Sequence, residues 1–75
     1  MDTNIPLNQE NAIEVLPLLR IKHGLSQMEV ANGAGITNQT VSEIECGKIK
    51  PRRFTILKLK RFFDFLERQS EATAA

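Results

Sequence analysis

Cysteine and the large polar aromatic residues are almost missing from this 75-residue chain, which contains one cysteine and no tyrosine or tryptophan. Cys46 has no second cysteine to pair with, so we interpret it as a small packing residue rather than a reactive thiol. His23 is also alone, and these two soft ligands cannot close a zinc site. Because no glycine-rich phosphate loop is present either, we expect no enzymatic activity, no metal and no cofactor.

Long apolar runs and a signal peptide are absent too, which predicts a cytoplasmic protein without membrane association. Apolar residues nevertheless form 41% of the chain and charged residues 25%, a balance typical of a folded protein. A chain of this length forms a single domain. We place that domain at residues 9–69, between a flexible arm over residues 1–8 and a flexible tail over residues 70–75.

Acidic residues are missing between Lys48 and Arg61, although the net charge of the whole chain is only +1. Such an interval is either an ordinary solvated face or a surface that attracts a polyanion, and the charge pattern alone leaves both open. Its basic residues are Lys48, Lys50, Arg52, Arg53, Lys58, Lys60 and Arg61.

Apolar residues recur at helical spacing along most of the chain, which predicts an all-α fold without strands. The first helix is expected from about residue 9 to His23, with Ile13, Leu16 and Leu19 on its buried face. Pro17 lacks the amide that would bond to the carbonyl four residues earlier. The helix therefore either kinks there or is preceded by a separate turn.

A helix, a tight turn and another helix are predicted next, over residues 27–46. Ser26 and Glu29 form a capping box at the start of the second helix, and Gly35 supplies the left-handed residue of the turn. Gly33 weakens the second helix by up to about 1 kcal/mol relative to alanine. The residues expected to face inward from these two helices are Val30, Ala31, Ala34, Val41 and Ile44.

A long amphipathic helix follows the basic loop and completes a fold of four principal helices, with room for a short turn at the end. Phe62 and Phe65 fall outside its inner face. Either they form an exposed interface together with Leu66, or they close the small core. The inner face consists of Ile56, Leu59, Phe63 and Leu66.

This residue pattern resembles the family of phage Cro and C1 repressors, also called the Xre family. The resemblance spans about Leu16 to Phe63 and rests on Leu19-Arg20-Ile21-Lys22-His23-Gly24-Leu25-Ser26-Gln27, on Val30-Ala31 and Ala34-Gly35-Ile36-Thr37, and on Val41-Ser42-Glu43-Ile44-Glu45-Cys46-Gly47-Lys48 with Pro51. It implies a compact, lambda-repressor-like helix-turn-helix domain of four to five short helices. Its third helix, about residues 38–46, would enter the major groove of double-stranded DNA. The implied function is sequence-specific transcription regulation, by a repressor that binds a palindromic operator as a homodimer.

The resemblance also assigns individual residues. It pairs Arg20 with Glu45 in a structural ion pair and places Gln27 beside a DNA phosphate. The candidates for base contacts on the outer face of the third helix are Asn38, Gln39, Ser42 and Glu43. The other candidates for phosphate contacts are Thr37, which also caps the third helix, Thr40, Lys48, Lys50, Arg52 and Arg53. For Glu43 a repulsive or structural role is the alternative, because phosphates repel a carboxylate that meets no cytosine amino group.

A second class of function stays open from the sequence. The chain would then be a protein-interaction module, such as an antitoxin that neutralises a toxin through its arm or tail while its helix-turn-helix represses the shared operon. The C-terminal helix is a further candidate for binding a protein partner. RNA binding is disfavoured, because no tyrosine or tryptophan is available for base stacking and the phenylalanines fall on the last helix.

Overall fold

A computed structural model describes residues 7–74 of the chain, with side chains described up to residue 69. The described part contains four helices and no strand, which confirms the all-α prediction. Most of the predicted arm, residues 1–6, and the last residue of the predicted tail lie outside the described residues. The helices are α1 (Ala12–Lys22), α2 (Gln27–Ala34), α3 (Asn38–Cys46) and α4 (Arg53–Ala74).

Helix α1 begins at Ala12 rather than at residue 9, and it runs unbroken to Lys22 with Pro17 inside it. The chain in front of the helix folds into a turn around Asn8, whose side-chain oxygen accepts hydrogen bonds from the amides of residues 10 and 11. Of the two alternatives at Pro17, a separate turn for the stretch before Leu16 is wrong, because residues 12–15 already lie in the same helix as Leu16.

The predicted buried face of α1 is wrong at Ile13, which is 46% exposed. Successive residues turn by about 100° around a helix, so positions three apart drift by about 60° and three of them cannot all face the core. Ala12 and Val15 are buried in place of Ile13. The Cδ1 atom of Ile13 covers Gly47 instead, 2.6 Å from the position that a Cβ atom would take there.

The helix-turn-helix has the predicted caps and the predicted turn. Ser26 Oγ accepts from the Glu29 amide at 3.1 Å, and Glu29 Oε1 accepts from the Ser26 amide at 2.8 Å, which confirms the capping box. Gly35 ends α2 with a φ of 78°, a conformation that strains a residue with a Cβ atom. The chain can therefore turn sharply into α3. All five predicted inward residues of the pair are buried: Val30, Ala31, Ala34, Val41 and Ile44.

Helix α4 closes the core from the other side and extends past the predicted boundary at residue 69 to Ala74. Ile56, Leu59 and Phe63 are buried as predicted, and Leu66 packs against the core while partly buried. Leu7 also belongs to the core, with 4% of its surface exposed, although the sequence assigns it to the flexible arm. The core therefore includes a residue that lies before the predicted start of the domain at residue 9.

The two leftover phenylalanines behave differently. Phe62 packs against the core beside Gly33, whereas Phe65 is 56% exposed. Each of the two alternatives thus holds for one residue, because three positions turn a side chain by about 60° around the helix, enough to separate Phe62, which reaches Gly33 of α2, from the exposed Phe65. Cys46, predicted to be a packing residue, is exposed at the end of α3, so that prediction is wrong.

A polar clamp joins the end of α1 to α4. Glu67 Oε2 accepts from Lys22 Nζ at 3.0 Å and lies 3.0 Å from His23 Nε2. The imidazole of His23 also stacks on Phe63, with ring centroids 5.8 Å apart. The clamp fixes α4 against the scaffold on which the helix-turn-helix rests.

Glu67 should make the stability of the fold depend on pH. The hydrogen bond from Lys22, with smaller contributions from the charges of Lys22 and His23, holds the pKa of the Glu67 carboxyl below its ordinary value of 4.5. A carboxyl with a lowered pKa stabilises the fold above its unfolded pKa and loses that contribution as the pH falls through its folded pKa. Because the carboxylate is half exposed, wild type should exceed Glu67→Gln at pH 7 by less than about 1 kcal/mol in free energy of unfolding.

Urea denaturation of the two proteins at a series of pH values measures this difference. It should shrink as the pH falls below 4.5, where protonation of Glu67 makes the wild type resemble the glutamine variant. A difference that grows on acidification would contradict the direction of the pKa shift.

Candidate nucleic-acid interface

The outer side of α3 is a polar surface, and the inner side of the same helix is buried in the core. Val41 and Ile44 are fully buried and anchor the helix against α1 and α2. Residues four apart lie on the same side of a helix, so the first turn of α3 and the next one present one continuous surface. We call this surface the reading face; it consists of Asn38 and Gln39, which are exposed, and Ser42 and Glu43, which are half-buried.

One hydrogen bond lies within the reading face. Gln39 Nε2 donates to Glu43 Oε2 at 3.3 Å. The carbonyl oxygen of Gln39 and the second oxygen of Glu43 stay available as acceptors on the exposed side of α3. The sequence places both residues on this face, but it does not predict that they bond to each other.

Two threonine hydroxyls lie at the start of α3. Thr37 caps the helix, because its Oγ1 accepts from the Thr40 amide at 3.0 Å, and the two hydroxyl oxygens lie 2.8 Å apart. A single hydrogen bond between two hydroxyls uses one of their two protons. The other hydroxyl proton therefore remains free to be donated to an anion beside the helix.

A partly buried ion pair ties the end of α3 to α1. Arg20 Nε donates to Glu45 Oε2 at 2.8 Å and Arg20 Nη2 donates to Glu45 Oε1 at 3.0 Å, the two-pronged geometry that is strongest for this pair. The side chains are 21% and 9% exposed. The hydrogen bond with Glu45 raises the pKa of the Arg20 guanidinium, against the opposing effect of burial. The pair thus fixes the orientation of α3.

Gln27 joins this network at the first residue of α2. Its Nε2 donates to Glu45 Oε1 at 3.1 Å, so one acceptor holds the side chains of both Arg20 and Gln27. A glutamine amide nitrogen carries two hydrogens. Glu45 therefore orients the amide while leaving one N–H for a further acceptor next to α2.

The four basic residues that follow α3 are all exposed, and three of them line two adjoining recesses that share Lys50. Lys50 and Arg52 line a recess of about 390 Å³ together with Thr40. Lys48 lines a neighbouring recess of about 310 Å³ that also contains Glu10. The exposed basic residues are Lys48, Lys50, Arg52 and Arg53.

The first recess contains a residue that the sequence analysis misses. Thr55, in the first turn of α4, lines it next to Lys50 and Arg52. The position of Thr55 just after a helix start is a signal that could have found it, because free amides and hydroxyls concentrate there. Gln9 fixes the adjoining loop, since its Nε2 donates to the Pro51 carbonyl at 3.0 Å.

The described residues, 7–74, show neither a membrane-spanning helix nor a metal site. No helix there is long and apolar enough to cross a membrane. No group of three histidine, cysteine, aspartate or glutamate side chains is placed to hold a metal ion in that part of the chain.

A model of the helix-turn-helix family of Cro/C1 type matches residues 18–67. This span is two thirds of the chain, and it contains all of α2, α3 and the basic loop with parts of α1 and α4. No curated protein and no solved structure matches the chain in the same comparisons.

Proposed function

Because the chain belongs to the Cro/C1-type helix-turn-helix family of DNA-binding regulators, we propose that it is a repressor that binds a specific palindromic operator as a homodimer. The observation that carries the proposal is the reading face. Its polar side chains are exposed or half-buried, on a helix that two buried apolar residues and the Arg20–Glu45 pair hold in a fixed orientation. Rigid presentation of uncommitted polar groups suits the recognition of base edges.

The proposed contacts fall into two classes. Asn38, Gln39 and Ser42 read base edges in the major groove and supply the choice of sequence, with Glu43 beside them on the reading face. The phosphate contacts strengthen binding to every sequence alike. They come from Gln27, Thr37, Thr40, Lys48, Lys50, Arg52 and Arg53, to which the recess adds Thr55.

The support for a homodimer comes from α4. Phe54, Leu57 and Phe65 are 76%, 43% and 56% exposed, and their spacing places them along one side of the helix. We call these three residues the α4 stripe. Large exposed apolar side chains are typical of an interface, and here Lys58 and Arg61 lie between Leu57 and Phe65 on the same side. Pairing two copies would let two reading faces about 34 Å apart contact successive major grooves on one side of the duplex.

Selection from a random duplex library tests the proposed function. The selected sequence should be palindromic, and the protein should bind it about 10³-fold or more tightly than a scrambled duplex. Sedimentation of the protein with the selected duplex should give two chains per site, and a reporter fused to the operator should be repressed. Equal affinity for the two duplexes would contradict sequence-specific binding.

The alternative of a protein-interaction module uses the same α4 stripe. It would bury Phe54 and Phe65 against a different protein, in place of a second copy. Co-purification of a stoichiometric partner, together with a monomer in sedimentation of the isolated chain, would favour it over the homodimer.

Gln39→Ala and Lys50→Ala should separate the two classes of contact. Loss of Gln39 removes a base contact, so the preference at one operator position should fall by about tenfold. Loss of Lys50 removes a phosphate contact, so affinity should fall for all sequences alike and the slope of log K against log salt should drop by about 0.9. Binding isotherms on the operator and on its single-base variants at several salt concentrations measure both. A uniform effect of Gln39→Ala would place Gln39 outside the base contacts.

A further inference from the structure

The hydrogen bond within the reading face joins Gln39, a proposed base contact, to the carboxylate of Glu43 on the same face. Gln39 and Glu43 lie one helical turn apart, and Nε2 of the first donates to Oε2 of the second at 3.3 Å. Within the described residues, neither side chain has another hydrogen bond or ion pair. The contact is therefore the one polar restraint that the folded chain itself places on either group.

The chemistry of the two groups makes this restraint directional. An ionised carboxylate only accepts hydrogen bonds, so Glu43 can face the NH₂ group of Gln39 but not its carbonyl oxygen. An unrestrained glutamine amide can turn over and offer a given base either its donor or its acceptor. The carboxylate of Glu43 disfavours one of these two orientations, because turning the amide over would bring two oxygens face to face.

We propose that Glu43 is a positioning residue that restricts Gln39 to adenine, an inference that rests on the proposed function. In a two-pronged contact with adenine, Gln39 Oε1 accepts from the N6 amino group and one Nε2–H donates to N7. The second hydrogen on Nε2 remains for Glu43, so both contacts form together. Thymine O4 and guanine O6 are acceptors, and they would require the reversed amide that Glu43 opposes.

The charge of Glu43 also affects the overall affinity for DNA, and it lowers that affinity while it sharpens the choice of base. A carboxylate close to DNA phosphates weakens binding to every sequence. Removing the charge should therefore strengthen binding overall while it loosens the choice of base. A residue that only solvates α3 would change neither the base preference nor its dependence on Gln39.

The test measures the affinities of the full chain for four duplexes that differ only at the position read by Gln39. Wild type should prefer adenine by about tenfold over the next base. Glu43→Gln should raise the affinity for the disfavoured bases, so that the preference falls to about threefold or less while the affinity for adenine is unchanged or higher. In the Gln39→Ala background, Glu43→Gln should shift all four affinities by the same factor. Thermal unfolding followed by circular dichroism should be unchanged, since both side chains lie on the outer side of α3.

Three results would overturn the inference. An undiminished preference for adenine in Glu43→Gln would show that Gln39 needs no positioning. A change confined to a cytosine at a neighbouring position would make Glu43 a direct base contact. A wild-type protein that prefers no base at any position would contradict the proposed function and this inference together. A wild-type preference for adenine that Glu43→Gln leaves intact would contradict only the inference, so the two failures are distinguishable.

Discussion

Replacing Glu45 by alanine should lower the free energy of unfolding by about 2–3 kcal/mol, less than the ~3–5 kcal/mol expected when a fully buried pair is broken. The change leaves the Arg20 guanidinium without its two-pronged partner while four fifths of that side chain stays out of water. Gln27 loses its acceptor at the same time. Urea denaturation at neutral pH measures the loss.

The matched control is Glu43→Ala, which removes a carboxylate from the same helix two residues earlier. Its hydrogen bond to Gln39 is exposed, so its effect should stay within about 0.5 kcal/mol. The double variant Arg20→Met with Glu45→Leu should recover most of the loss, because an apolar pair leaves no unpaired charge. A loss below about 1 kcal/mol for Glu45→Ala would mean that the pair behaves like an exposed salt bridge.

Glu45→Ala should weaken DNA binding beyond its effect on folding if Gln27 contacts a phosphate. Glu45 holds the Gln27 amide at 3.1 Å, and without it the amide must be ordered when DNA binds. Glu45 lies outside the reading face and is not proposed to contact a base, yet its loss should lower the affinity for DNA. The effect arises because Glu45 Oε1 accepts hydrogen bonds from both Arg20 and Gln27. No spacing rule in the sequence predicts this shared acceptor.

Local features of the fold can be predicted from the sequence because their causes are local. The capping box needs only Ser26 and Glu29 three residues apart, and the turn needs only a residue that accepts a positive φ, Gly35. The buried pair Val41 and Ile44 follows from helical periodicity. The outward positions of Asn38 and Gln39 follow from the same periodicity, since placing two residues inside fixes which residues face out. Their contacts with bases stay a prediction.

Features that depend on neighbours distant in the chain cannot be predicted in this way. Leu7 is an isolated apolar residue without a period, and it is buried because the rest of the core leaves it a place. Ile13 drifts off the inner face of α1 and covers Gly47, a contact with a residue distant in the chain that the spacing does not predict. The bond between Gln39 and Glu43 depends on side-chain rotamers, for which the sequence carries only the permissive spacing of four.

Gly33 also has a neighbour distant in the chain, and this neighbour reverses the sign of the stability change that the sequence predicts. Helix propensity alone predicts that Gly33→Ala stabilises α2 by up to about 1 kcal/mol. A Cβ atom at this position would lie 2.1 Å from Cε1 and 2.5 Å from Cζ of the Phe62 ring. The ring must leave its place against the core, at a cost of about 1–3 kcal/mol. We therefore expect Gly33→Ala to destabilise the protein by about 1 kcal/mol net.

The sign should reverse when the ring is removed. In the Phe62→Ala background nothing occupies the space beside Gly33, so Gly33→Ala should stabilise by up to about 1 kcal/mol, and the cycle should give a coupling of about 2 kcal/mol. Asn32→Ala, one residue earlier and exposed, is the matched control and should stabilise slightly in both backgrounds. The free energies of unfolding of wild type, the two single variants and the double variant measure the coupling between Gly33 and Phe62. If Gly33→Ala stabilises both backgrounds equally, the Phe62 ring does not hold α4 against α2 at this point.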